Sequence, residues 1–189
     1  KYWNDEDGFF YPTIRIEENE FQLNIRNFSS IVPLFGITII PKEIPENIIK
    51  SIKELFIDDK SLSEHIKSFT DPQTKKEYYA LTTTTSKQTH RILSYVLNES
   101  EFLSNYGIRS LSRYHREKPL YISTPRSHYE IKYCPGELES RMFGGNTNWF
   151  GPIWISLNYL LIDHLEKLHV CFPEFRFEDS NNKTFVGKN

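Results

Sequence analysis

Apolar residues recur along this chain at two spacings, and the helical one is the commoner. Ile153, Leu157, Leu160, Leu161, Leu165 and Leu168 fall on one helical face and predict a helix over residues 152–170. Pro152 suits its first position, where a missing N–H has no partner to lose. Ile48, Ile49, Ile52, Leu55 and Phe56 predict an amphipathic helix over residues 45–56. Residues 89–97 read as another helix, and Ser61 with Glu64 makes a capping box for a short one ending near Phe69. Residues 29–40 read as a short helix that Pro41 stops. Two strands, residues 9–17 and 21–26, are predicted around the Glu18-Asn19-Glu20 turn, with Phe9, Tyr11, Ile14 and Ile16 as candidates for burial. Residues 78–85 fit a strand or a loop, and the four threonines at 82–85 favour the loop. Residues 107–135 read as irregular, punctuated by Pro119, Pro125 and Pro135. The expectation is a helical chain with one hairpin and long loops at one end, forming a single unit over 1–189.

Composition narrows the classes. The chain has 189 residues, 38% hydrophobic and 25% charged, with a net charge of −2, which reads as soluble and globular. No basic stripe supports nucleic-acid binding. No apolar run reaches the length of a membrane span. Cys134 and Cys171 lack metal-like or redox spacing, so no metal and no cofactor are expected. The cytoplasm is the favoured compartment; Asn27, Asn98 and Asn182 fit the glycosylation triplet and leave the secretory path open.

The stretch with the most chemistry is Gly144-Gly145-Asn146-Thr147-Asn148-Trp149-Phe150-Gly151-Pro152-Ile153-Trp154, a loop that runs into the last helix. Flat rings beside amides suit a sugar cleft: the rings cover pyranose C–H faces and the amides bond hydroxyls. The plainer alternative is that the Trp residues are core and the Asn residues cap the helix.

That stretch resembles the C-terminal region of glycoside hydrolase family 63, in its large glucosidase group. Trp3-Asn4-Asp5-Glu6-Asp7-Gly8-Phe9-Phe10-Tyr11, Ile31-Val32-Pro33-Leu34-Phe35, residues 102–115 and Tyr133-Cys134-Pro135-Gly136-Glu137 continue the resemblance in order. It implies a mostly α fold, the C-terminal half of an (α/α)6 toroid with a small β-hairpin near the N-terminus. It also implies inverting hydrolysis of α-linked gluco- or manno-oligosaccharides, with the N-terminal remainder of the barrel as partner.

Inverting hydrolysis needs two carboxyls on opposite faces of the sugar. The resemblance places the general acid before residue 1. It makes Glu178, in Phe175-Arg176-Phe177-Glu178, the candidate base, with Glu137 second. Arg109, Tyr114, His115, Asn148, Trp149 and Trp154 are the expected substrate contacts. Asp5 and Asp7 read as turn residues. The alternative is a non-catalytic homologue with a sugar-binding cleft or a helical scaffold role, motivated by Phe150 where the family has Arg.

Overall fold

The computed structural model describes residues 2–16, 18–54, 63–124, 127–135, 153–172, 177–178 and 184–185. Its architecture corrects the expected toroid. Small antiparallel sheets of two or three strands recur among the described residues, and the helices Ser86–Val96 and Ile155–Cys171 pack singly against strands. No described pair of helices forms the hairpin that an (α/α)6 toroid repeats.

The first strands are tight. β1 (Trp3–Asn4) pairs with β2 (Phe9–Phe10), and β3 (Thr13–Ile16) pairs with β4 (Asn19–Gln22). Asn4 Oδ1 accepts the N–H groups of Glu6 and Asp7, both at 3.0 Å, and Gly8 closes the first turn at φ +67°. A side chain at Gly8 would be strained there and would run into the Arg91 guanidinium.

Residues 29–40 do not form one helix. Two 3-10 turns, Phe28–Ser30 and Val32–Phe35, lead into β5 (Ile37–Pro41). Ile37 is buried, Thr38 exposed and Ile39 half-buried, which is period two, and the β-branched run favours extended backbone. The apolar count across 29–40 had joined residues of different elements. β5 is followed by α1 (Glu46–Glu54), β6 (Ile66–Thr70) and β7 (Glu77–Thr82), giving a sheet of order β5-β7-β6. Phe69 is therefore in a strand, where its ring stacks on Tyr78 of β7 at 5.7 Å. The threonine-rich segment is a strand as far as Thr82.

α2 (Ser86–Val96) starts at Thr85, whose side chain accepts the Gln88 N–H while the Gln88 side chain accepts the Thr85 N–H. It packs Ile92, Leu93 and Val96 into the core beside Phe9 and Tyr11 of the first hairpin. β8 (Leu103–Ser104) and β9 (Gly107–Ile108) form a short hairpin. β10 (Leu120–Thr124) and β11 (Ser127–Ile131) form a longer one inside the stretch that reads as irregular in sequence. A second core gathers Ile25, Leu111, Ile122, Ile131 and Tyr133.

The last long helix, α3 (Ile155–Cys171), buries Leu161, His164, Leu168 and Cys171 against the Val32–Phe35 turn, β5 and β6. Asn158 ties it to β9: its Oδ1 accepts the Ile108 N–H at 2.6 Å, and its Nδ2 donates to the Ile108 carbonyl at 3.1 Å. Gly107, at φ +128°, leaves room for that amide, since a Cβ there would lie 2.8 Å from Asn158 Oδ1. β12 (Phe177–Glu178) pairs with β13 (Thr184–Phe185).

Candidate functional site

The polar centre of the molecule is Arg26, which follows β4. Its Nη1 lies 2.6 Å from Glu101 Oε1, and its Nε donates to the Tyr11 hydroxyl at 3.2 Å. Tyr11 in turn donates to Asp7 Oδ2 at 2.8 Å, and the Ser112 hydroxyl donates to the other oxygen of Glu101. The guanidinium carbon sits 4.2 Å from the centre of the Tyr114 ring and 4.8 Å from that of Tyr95. His115 Nε2 accepts the backbone N–H of Arg26 at 2.9 Å, so the ring proton lies on Nδ1, which donates to the Lys118 carbonyl at 3.0 Å. Burial, with Arg26 adding repulsion, lowers the His115 pKa below the ordinary histidine value and keeps the ring neutral. Burial pushes the Tyr11 hydroxyl up, above the usual phenol range. These groups satisfy one another, so the network is suited to anchoring rather than to proton transfer.

Open grooves are also lined by described residues. One, of about 440 Å³, is lined by Trp3, Asn4, Asp5, Thr13, Glu20 and Gln22. The β3–β4 register sets Thr13 opposite Gln22, and Glu20 lies two residues before Gln22, so strand alternation puts all three on one face. Trp3 packs edge-on against Phe10, with centroids 4.8 Å apart, and its indole N–H donates to Asp5 Oδ1 at 2.9 Å. Asn4 Nδ2 donates to Gln22 Oε1 at 3.2 Å, and Gln22 Nε2 donates to the Tyr2 carbonyl at 3.3 Å. The ring is thereby held rigid beside two oriented amides. The other groove, of about 600 Å³, lies between the Asn98–Ser100 turn and the 3-10 turn Arg113–Arg116, with Tyr114 in its wall. Lys118 stands 5.0 Å from the Tyr114 ring centre, on a ring that Arg26 already contacts.

The residues expected from sequence are placed as follows. Arg109 donates through Nε to the Tyr133 hydroxyl at 3.1 Å, and through Nη1 to the carbonyls of Glu99, Glu101 and Leu103, which clamps a loop. Tyr114 is half-buried and lines the second groove, with its ring edge-on to that of the buried His115. Trp154 is the N-cap position of α3, and its carbonyl accepts from Asn158. An isolated bridge between Arg109 and Ile153 brings Arg109 near the start of that helix. Glu178 has its backbone in β12, paired with Thr184. Glu137, Asn148 and Trp149 lie outside the described residues. Asn27, one of the glycosylation triplets, is buried and accepts hydroxyl bonds from Ser29 and Ser30.

Sequence reasoning missed the Trp3 groove and the Arg26 centre. The ring-beside-amide logic applied to residues 144–154 holds equally for Trp3-Asn4, and Gln22 falls in place only once the β3–β4 register is known. Among the described residues no three His, Cys, Asp or Glu side chains converge to hold a metal ion, and no described helix is long and apolar enough to cross a membrane.

Comparisons with known proteins add one relative. The chain is 35% identical over 181 residues, 93% of its length, to the uncharacterised protein YMR196W of Saccharomyces cerevisiae. The match covers 16% of the yeast protein, so the chain spans about a sixth of the relative it matches. No family model matches the chain, and no solved structure matches it. Together with the strand-rich fold, this corrects the resemblance to glycoside hydrolase family 63: the ordered short motifs are not supported by a family match, and the toroid they implied is not formed.

Proposed function

We propose that this chain presents a carbohydrate-binding surface at the Trp3 groove. The observation that carries the reading is the lining itself: one fixed indole, two oriented amides, a hydroxyl and two carboxylates around about 440 Å³. An indole face covers the C–H side of a pyranose. Asn4 and Gln22 each use one amide N–H within the protein and keep a second for a hydroxyl, and carboxylates accept from hydroxyls. No lining residue is cationic, so the groove favours neutral sugars over anionic ones. Neutral gluco- or manno-oligosaccharides are the class that fits. The groove is arranged for binding rather than cleavage, because Asp5 already accepts the Trp3 indole N–H. Hydrolysis of an α-linked sugar is our proposal for a longer protein carrying this surface, and Glu178→Gln in that protein tests whether Glu178 serves it as base.

The test is calorimetric or NMR titration with maltotriose and with an α-linked mannotriose. Binding is expected to weaken at least about tenfold, near 1.4 kcal/mol, in Gln22→Ala and in Trp3→Ala, with unfolding temperatures recorded alongside. Absence of binding to both sugars, or binding indifferent to both substitutions, overturns the reading.

A further inference from the structure

Helix α3 is apolar on two opposite sides. Leu161, His164, Leu168 and Cys171 face the core. Ile155, Tyr159 and Ile162 are 80%, 72% and 58% exposed, and at 3.6 residues per turn they fall within about 60° of one another, opposite the buried set. Val170 continues the stripe, and the exposed Glu166 is the charge upon it. A helix that is apolar on both sides belongs between two layers, yet among the described residues one layer is present.

We propose that this stripe is an internal packing surface, covered by an apolar face of the same polypeptide that lies outside these 189 residues. Two observations favour that occupant over a second copy. The matched region is 16% of the yeast relative, so a protein built on that plan has ample chain to supply the cover. The stripe is also small. Its side chains at these exposures offer on the order of 400 Å², against the ~800 Å² that each partner of a stable interface contributes. A segment on the same polypeptide is held at high effective concentration and needs less area to stay docked. The proposal is independent of the sugar-binding reading, since the stripe shares no residue with the Trp3 groove.

The test uses the full-length protein from its own coding sequence, carrying Ile162→Cys or, as an exposed reference, Gln73→Cys. Maleimide labelling is read peptide by peptide by mass spectrometry. In the native protein Ile162→Cys is expected to label at least about tenfold more slowly than Gln73→Cys, and the two are expected to converge in denaturant, as labelling of a covered site waits on local opening. Equal native rates overturn the proposal. Protection that disappears on dilution, or that accompanies a doubled mass, assigns the stripe to a second copy and overturns it as well. Where Ile162→Cys fails to fold, Tyr159→Cys is read in the same way.

Discussion

The Arg26 guanidinium and the Glu101 carboxylate meet at 2.6 Å across 75 residues of chain, each side chain only 11% exposed. Glu101 also holds Ser112, so one carboxylate joins the end of the first hairpins to the segment ahead of the Arg113–Arg116 turn. Truncating it leaves a nearly buried guanidinium with the more exposed and more distant Asp7 carboxylate, 3.7 Å away, as its charge partner among the described residues. Glu101→Ala is expected to cost about 3 kcal/mol by urea denaturation. The double variant Arg26→Leu with Glu101→Leu is expected to cost less than the sum of the single changes. A loss below about 1 kcal/mol in Glu101→Ala would show that the pair is not what closes the structure.

His164 gives the stability a pH dependence. Its ring is buried, its Nε2 meets no hydrogen-bond partner among the described residues, and burial, reinforced by Lys167, lowers its pKa to about 4 from an ordinary 6.5. Above pH 6.5 the ring is neutral in both folded and unfolded chains. Between pH 6.5 and 4 the unfolded chain takes up a proton that the folded one refuses, so stability falls as pH falls, and it levels off below 4. The full loss is about 3 kcal/mol. Chemical denaturation from pH 7.5 to 4 should show this slope, and His164→Leu should flatten it, leaving the part that His115 contributes with the same sign. A variant that keeps the whole slope places the titration elsewhere.

The Thr85 and Gln88 side chains close the start of α2 reciprocally. Thr85→Ala is expected to lower stability by about 1 kcal/mol, and Thr85→Ser to keep most of it. Equal losses in the two variants would mean that the methyl group, not the hydroxyl, matters at this position.

Thiol reactivity should separate the two cysteines. Cys171 is fully buried and burial pushes its pKa up to about 11, whereas Cys134 is half-buried. Reaction with an aromatic disulfide at pH 8 is expected to modify one thiol quickly in the native protein and two in denaturant. Rapid modification of Cys171 in the native state would show that the helix α3 contact opens readily.

Much of the local structure was legible. The 3.6-residue spacing located α3 within a few residues, and the burial of Phe9 and Tyr11 followed from their place in a predicted strand. The strands at 37–41, 66–70, 120–124 and 127–131 were harder to see. They are short, and several carry polar residues on one side and mixed residues on the other, so alternation is weak within five positions. The fold class failed for a related reason: residues 29–40 read as helix where β5 runs, Phe69 reads as a helix end where β6 runs, and residues 107–135 read as irregular where β10 and β11 pair. The site was hidden because Trp3, Thr13, Glu20 and Gln22 come from two hairpins, and only the pairing of those hairpins makes them neighbours.

The Arg26 centre also has a consequence for how this chain can vary in length. Asp7, Tyr11 and Arg26 on one side, and Glu101, Ser112 and His115 on the other, join the two ends of a long excursion that holds α1, the three-stranded sheet and α2. The cost of closing a loop rises only with the logarithm of its length. Residues added at the outer tip of the excursion, the exposed Asp71–Lys76 turn with Lys75 at φ +59°, therefore leave the closure almost untouched. Insertions and deletions accumulated over evolutionary time are expected to collect at that tip, while the spacing between Glu101 and His115 stays fixed.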